Sequence, residues 1–339
     1  MSKITIKQIA ELAGVSVSAV SFVLNNKKGV SEDTRRRVLK IIDDLNYTPN
    51  LNSRRLTMHR SFNIIVSIEA KTSPLDNFFY VALLNSIVKI GGALGYNIVL
   101  SPESSCFENS HLADALSQSN ADGIIFLRDI SSDMQAYIAK AEVPFVIIDT
   151  QKSNPPYPCV KMDYQLSAYT ATRHLISKGH KKIAFIGVGS IADFYLNSFN
   201  GYKTALSEAG IQVPLEWIRS EAEADDENSA KECVKAILRC KEFPTAIYCT
   251  GDILAIGIMS YLQDKGYHLP EDFSICSVDD IILSRYYHPA LTTINVDKDL
   301  MGRLAVEMLD HLIRGEETDT LITVKSDELI ERSSVKSLL

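Results

Sequence analysis

Residues 5–25, TIKQIAELAGVSVSAVSFVLN, carry hydroxyls, amides and one aromatic ring at helical spacing around a single glycine. The chemistry open to such a segment is insertion of a short helix into a nucleic-acid groove. Ile6, Ile9, Ala10 and Ala13 recur at helical spacing, and Thr5 with Gln8 three residues on forms a capping box, so a first helix is expected there. Gly14 suits the left-handed conformation that ends it, Val15 plugs a small core, and Ser16 caps a second helix over about 17–24. The solvent face of that second helix holds Val17, Ser18, Ser21, Phe22 and Asn25. Ser31 caps a third, with Glu32 and Asp33 at its positive end and Val38, Leu39, Ile42 and Leu45 expected as its buried face.

The charge distribution agrees with this chemistry. Residues 1–60 hold 11 Lys+Arg against 5 Asp+Glu, whereas the rest of the chain holds 24 against 37. A basic head on an acidic body is what phosphate neutralisation at one end requires. At 339 residues and 46% hydrophobic composition the chain suits two or three domains. No apolar run approaches the ~18 residues of a membrane span, and the polar N-terminus lacks the apolar stretch of an export signal. A cytoplasmic protein is expected. Six scattered cysteines without a CxxC pair read as structural thiols, and no catalytic residue, cofactor or metal site is expected.

After the basic stretch LNSRRLTMHR, β-like runs alternate with helical ones. Strands are expected at 62–68, 97–101, 123–127, 145–149, 182–187, 245–249 and 274–279. Helices are expected near 80–94, 109–118, 164–178, 199–209, 228–240, 252–265 and 298–313. Short apolar strands spaced by helices indicate parallel, doubly wound sheets, and the length accommodates two. One rival reading is the dinucleotide fingerprint GxGxxA at Gly187–Ala192, but no second strand ends in an acidic residue about 20 positions later. Another is an exported solute-binding protein, which the basic head and missing signal oppose. His174 and His180 do not share a helix face, and Lys178, Lys181 and Lys182 read as a solvated turn.

The head, with GVSEDTRRRVLKIIDDLNYTPN at 29–50, resembles that of the lactose-repressor (LacI/GalR) family of bacterial transcription regulators. DNFF at 76–79, ADGIIF at 121–126, KGHKKIAFIG at 178–187, GYKTALSEAG at 201–210, PTAIYCTGD at 244–252 and VDDIILSRYYHPALTT at 278–293 fall in family order. The resemblance implies a small all-α helix-turn-helix head plus an α/β two-lobed, periplasmic-binding-protein-like (type I) body with parallel doubly wound sheets. It implies a head at 1–47, a hinge at 48–61, an N-terminal lobe at 62–163 plus 292–325 and a C-terminal lobe at 164–291, three crossings joining the lobes.

By that resemblance Val17, Ser18 and Phe22 meet base edges, while Thr5, Ser16, Ser21, Asn25, Tyr47 and Asn50 belong to the set that holds DNA. Phe22 departs from the usual Arg, so the guanine contact an Arg would make is replaced by packing on a thymine methyl. Leu56 matches the hinge leucine that wedges into the minor groove, with Arg54 beside it and Ser53 in place of Ala. In the cleft, Asn77, Phe78, Asp149, Tyr164, Asp252 and Asp279 fall at or beside ligand-facing positions. Ser198 and Thr150 stand where Arg is expected, Gly251 where Asn is, and Asp225 where an aromatic is. A sugar is the ligand the resemblance implies, but the acidic cleft expected here favours a cationic or amino-bearing ligand or weak liganding, disfavours sugar phosphates and closes on its effector. The partners expected are operator DNA, a small-molecule effector and a second copy through the helix near 80–94. No heptads at the C-terminus support a tetramer.

Overall fold

The computed structural model describes residues 4–24, 28–45, 60–69, 77–103, 112–113, 116, 120–189, 193–222 and 227–339. The chain divides into two compact units, Met1–Ser61 and Phe62–Leu339. In the first, α1 (Ile6–Ala13), α2 (Val17–Leu24) and α3 (Glu32–Asp44) follow the caps read from the sequence. Gln8 N donates to Thr5 Oγ1 at 3.4 Å and Thr5 N to Gln8 Oε1 at 2.9 Å. Gly14 ends α1 at φ 62°, with open space where a Cβ would sit, so backbone conformation rather than crowding calls for glycine. Ser16 and Ser31 accept from Ala19 N and Thr34 N. α1 and α2 turn through 104°, within the range of helix-turn-helix pairs.

Ile9, Ala10, Ala13, Val20, Val23 and Val38 form the head's core, ringed by Ile4, Ile6, Val15, Leu24, Val30, Ile41, Ile42 and Leu45. Leu39 is 44% exposed, a correction to the expected face of α3. The stripe runs 38, 41, 42, 45, the i, i+3, i+4, i+7 pattern that one helix face allows, and position 39 lies about a sixth of a turn outside it.

The second unit holds two six-stranded sheets. The first contains β1 (Asn63–Glu69), β2 (Asn97–Glu103), β3 (Gly123–Phe126), β4 (Phe145–Ile148), β5 (Cys159–Met162) and β11 (Leu321–Val324) in the order β2-β1-β3-β4-β5-β11. The second contains β6 (Ile183–Val188), β7 (Ile218–Ala222), β8 (Ala246–Cys249), β9 (Ser274–Asp279), β10 (Thr292–Asn295) and β12 (Glu328–Ile330) in the order β7-β6-β8-β9-β10-β12. All pairs are parallel except β10 with β12. Both sheets follow the 2-1-3-4-5 winding, which opens a crevice at the C-terminal strand ends.

The helices are α4 (Phe78–Ala93), α5 (Ser132–Ala141), α6 (Tyr164–Ser177), α7 (Asp193–Glu208), α8 (Glu227–Ile237), α9 (Asp252–Asp264) and α10 (Lys298–Ile313). α4 and α10 pack together beside the first sheet, and α6 with α7 beside the second. α6 and α7 approach so closely that a Cβ on Gly201 would lie 2.1 Å from the Gln165 carbonyl oxygen. The chain crosses between sheets after Met162, after Asn295 and after Val324. The return to the first lobe thus begins after β10 rather than at 292, because Thr292–Asn295 pairs with Cys276–Asp279. The expected helix at 109–118 falls largely, and the hinge at 48–61 almost wholly, outside the described residues.

Candidate nucleic-acid interface and ligand cleft

α2 buries Val20 and Val23 and leaves its opposite side to solvent. Val17 is 41% and Phe22 39% exposed, Ser16 and Ser18 are exposed and Ser21 is half-buried. Phe22 takes no part in the core; its ring lies 3.3 Å from where a Cβ of Gly29 would stand, against the turn before α3. Thr5 and Ser16 present exposed hydroxyls that also cap α1 and α2. The resulting surface offers two apolar groups and several hydroxyls on one short helix, a combination that meets thymine methyls and phosphate oxygens. Asn25, Tyr47, Asn50, Ser53, Arg54 and Leu56 lie outside the described residues.

In the body, Asp149 follows β4 at φ 63° and has both carboxylate oxygens occupied. Tyr80 of α4 donates to Oδ2 at 2.7 Å and Tyr164, first residue of α6, donates to Oδ1. Arg128, just past β3, donates Nε to the Tyr80 hydroxyl at 2.9 Å and lies 5.3 Å from the centre of its ring. Burial pushes the Asp149 carboxyl up, opposed by both tyrosine hydrogen bonds and by Arg128. Burial, followed by the charge of Asp149, pushes both phenols well above their ordinary value, so they remain donors. Neighbouring Asp129 accepts from Thr150 Oγ1 at 2.6 Å, Tyr157 OH at 2.5 Å and Gln151 N at 2.8 Å.

The second lobe contributes Asp252 and Asp279. Asp252 opens α9 with no exposed surface, and its carboxylate accepts from Ser277 Oγ and Ser284 Oγ at 2.5 Å, Thr293 Oγ1 at 2.6 Å and Ile281 N at 2.9 Å. Burial raises its pKa and these four donors draw it back. Asp279 ends β9 at φ 126°, half-buried, and its carboxylate accepts from Asp252 N at 3.4 Å. Lys298 Nζ donates to the Asp279 carbonyl and to Val296 O at 2.8 Å. Burial lowers the Lys298 pKa, while Asp279 and then Asp252 raise it.

Residues 5–50 match the family profile described as bacterial regulatory proteins, lacI family, and residues 172–335 match the periplasmic binding protein-like domain. The chain is 31% identical to the HTH-type transcriptional repressor PurR of Photobacterium profundum, with 98% of this chain and 99% of that one covered. The same identity and coverage relate it to PurR of Vibrio atlanticus. The chain belongs to the LacI family. The crystal structure of the lac repressor dimer bound to operator and the anti-inducer ONPF matches at a TM-score of 0.78 and 25% identity, over 99% of this chain and 100% of that one. The transcriptional regulator CelR in complex with cellobiose shares the fold at a TM-score of 0.71 and 24% identity, over 98% and 99%. These relatives are transcriptional regulators rather than enzymes.

As a LacI-family member the chain brings only part of its expected cleft set together. Asp149 and Tyr164 meet directly. Asn77 caps α4 through Phe79 N at 2.9 Å, and Phe78 beside it is exposed. Two positions are enclosed by the chain's own groups. Asp252 organises the loop after β9 and has its acceptor capacity taken by the chain itself. Ser198 is buried on the stripe Tyr195, Ser198, Tyr202, Ala205 of α7. Asp225 lies outside the described residues. Sequence reasoning missed Tyr80, Arg128, Asp129 and Lys298. The signal for Arg128 and Asp129 was their place directly after GIIF, where a parallel strand delivers residues to the crevice.

Proposed function

We propose that the chain is a dimeric, DNA-binding repressor whose second head helix reads each operator half-site through Val17, Ser18 and Phe22, and whose operator affinity answers to a small molecule in the inter-lobe cleft. The observation that carries the reading is the exposed side of α2, with Phe22 outside the head's core. Thr5, Ser16, Ser21, Asn25, Tyr47 and Asn50 hold the DNA, and Leu56 with Ser53 and Arg54 wedges the operator centre. One such head covers too few base pairs for specificity, so a pseudo-palindromic site and a second copy follow. Exposed Val88, Leu94, Val99 and Leu100 on the α4 and β2 side of the first lobe support that contact. Work on DNA places the protein in the cytoplasm.

The effector is a small molecule rich in hydrogen-bond donors, a sugar or amino-bearing relative, because Asp149, Asp129 and Asp279 supply acceptors at the strand ends. Arg128 adds a cation that the sequence reading left out, but it is turned onto Tyr80. A sugar phosphate therefore binds poorly among the carboxylates. Selection of sites from random DNA tests the head. Phe22→Arg shifts the preferred half-site toward guanine at one symmetric position, by about 1–3 kcal/mol per bidentate contact. An unchanged preference shows that position 22 does not face bases.

A further inference from the structure

We propose that Gly29 is a positioning residue for base reading: its bare Cα lets the Phe22 ring lie against the turn before α3, which fixes the ring where it meets a thymine methyl. The inference rests on Phe22 facing bases, as read above, and adds what holds the ring there.

Gly29 stands at φ 117°, a conformation that residues with side chains rarely adopt. A Cβ built on it would lie 3.3 Å from both Cδ2 and Cε2 of Phe22, inside the ~3.5–4.0 Å at which carbon atoms rest against one another. The ring therefore fills the space that a side chain at 29 would take. At Gly14 the same position is open, so this crowding is particular to Gly29.

Both sides of the contact are anchored. On α2, Phe22 is next to Val23 and two residues from Val20, both in the head's core. Directly after Gly29, Val30 packs against that core, and Ser31 starts α3 by accepting from Thr34 N at 3.3 Å and from Arg35 N at 2.9 Å. Phe22 is 39% exposed although it takes no part in the core, so more than half of its surface is covered, and the turn at 29 covers one side. An unbraced phenylalanine on the solvent side of α2 would sample several rotamers and lose that freedom on binding. Braced, it enters the groove already ordered. An Arg finds guanine through directional hydrogen bonds, whereas a ring recognises a methyl by shape alone, so its placement decides the base preference. A Cβ at 29 pushes the ring a few tenths of an ångström toward its exposed side. The base pair must come from that side, so the thymine methyl is crowded.

The full chain selects its own sites from random DNA, and in the selected duplex each thymine is then replaced in turn by uracil, which removes only the methyl group. Affinities are read by fluorescence anisotropy. At one symmetric position per half-site the wild type prefers thymine by about fourfold, the factor for one buried methyl group, and Phe22→Ala shows no preference. Gly29→Ala lowers the preference to less than about twofold at that position alone, and adds nothing there in the Phe22→Ala background. Backbone strain by itself would instead weaken every duplex alike, in both backgrounds. Gly29→Asn, whose residue type adopts positive φ more readily, gives the same result and decides the matter if Gly29→Ala does not fold. A thymine preference that Phe22→Ala removes and the Gly29 variants leave unchanged overturns the positioning role while the base reading stands. If no thymine separates the wild type from Phe22→Ala, the base reading fails and the positioning role with it.

Discussion

Replacing Asp252 with alanine separates a ligand-facing carboxylate from a structural one. The carboxylate gathers Ser277 from β9, the Ile281 amide, Ser284 from the short helical turn Ile282–Arg285 and Thr293 from β10. Truncation leaves four buried donors without their acceptor, each worth about 1–3 kcal/mol if nothing replaces it. Hydroxyls can rotate toward other acceptors, whereas the Ile281 amide is fixed by its backbone, so the full sum is not reached. A loss of about 3–5 kcal/mol is expected, as for breaking other buried charged networks. That is a large part of a domain's typical total of ~5–15 kcal/mol. Trp217 is the chain's one tryptophan, buried beside the second sheet with its indole N–H on Glu242 O at 3.1 Å. Urea unfolding followed by its fluorescence therefore reports the affected lobe. Asp252→Asn keeps one acceptor oxygen but turns an NH2 on the remaining donors, and falls between wild type and Asp252→Ala. A shift below about 1 kcal/mol for Asp252→Ala would refute the network account and return this carboxylate to the ligand.

Gly201→Ala forces a Cβ to 2.1 Å from a main-chain oxygen of α6, which cannot yield as a side chain would. A loss of about 3 kcal/mol is expected in the same fluorescence assay, and an unchanged midpoint contradicts the close α6–α7 approach. The pH dependence comes from His174 and His180, whose pKa values burial pushes below the ordinary histidine range. Below about pH 6.5 the unfolded chain binds more protons than the folded one, so stability is full above that pH and declines as the pH falls. His180 contacts Lys336 O at 3.2 Å, and Leu338 N donates to Lys178 O at 2.7 Å, so the C-terminal segment loosens first. Hydrogen exchange at Leu338, corrected for its intrinsic rate, is expected to be faster at about pH 5.5 than at about pH 7.5; equal protection at both values refutes it.

The head was legible because its signals are local. A capping box, a left-handed glycine and two serine caps each act within three or four residues, so type and spacing suffice. The one error, Leu39 for Ile41, arose where a run of apolar neighbours let two adjacent stripes compete. In the body, strands that are apolar throughout, such as GIIF and FVII, were readable. CVKM, IRSEA, TTIN, LITV and ELI were not. Those strands mix polar with apolar residues because they stand at sheet edges or beside the crossings, where burial is partial or side chains serve networks. Thr293 of TTIN, for example, is buried as a donor to Asp252.

The cleft was the least legible part, since a sequence gives a carboxylate's type but not the partner that satisfies it. The donors to Asp252 lie 25 to 41 positions away, and Tyr80 lies 69 positions from Asp149. Counting Arg residues at family positions therefore overstated the acidity of the site. Thr150, which stands where Arg was expected, is wholly buried and holds Asp129, while Arg128 comes to the same region from the adjacent strand end. A guanidinium thus stands at the adjacent strand end, where it acts through Tyr80. With Asp149 already carrying two phenols, affinity for any ligand depends on the difference between its donors and those of the tyrosine it displaces. That difference is small for one hydroxyl exchanged for another, so tight binding of the ligand proposed for this crevice must come from contacts elsewhere in it.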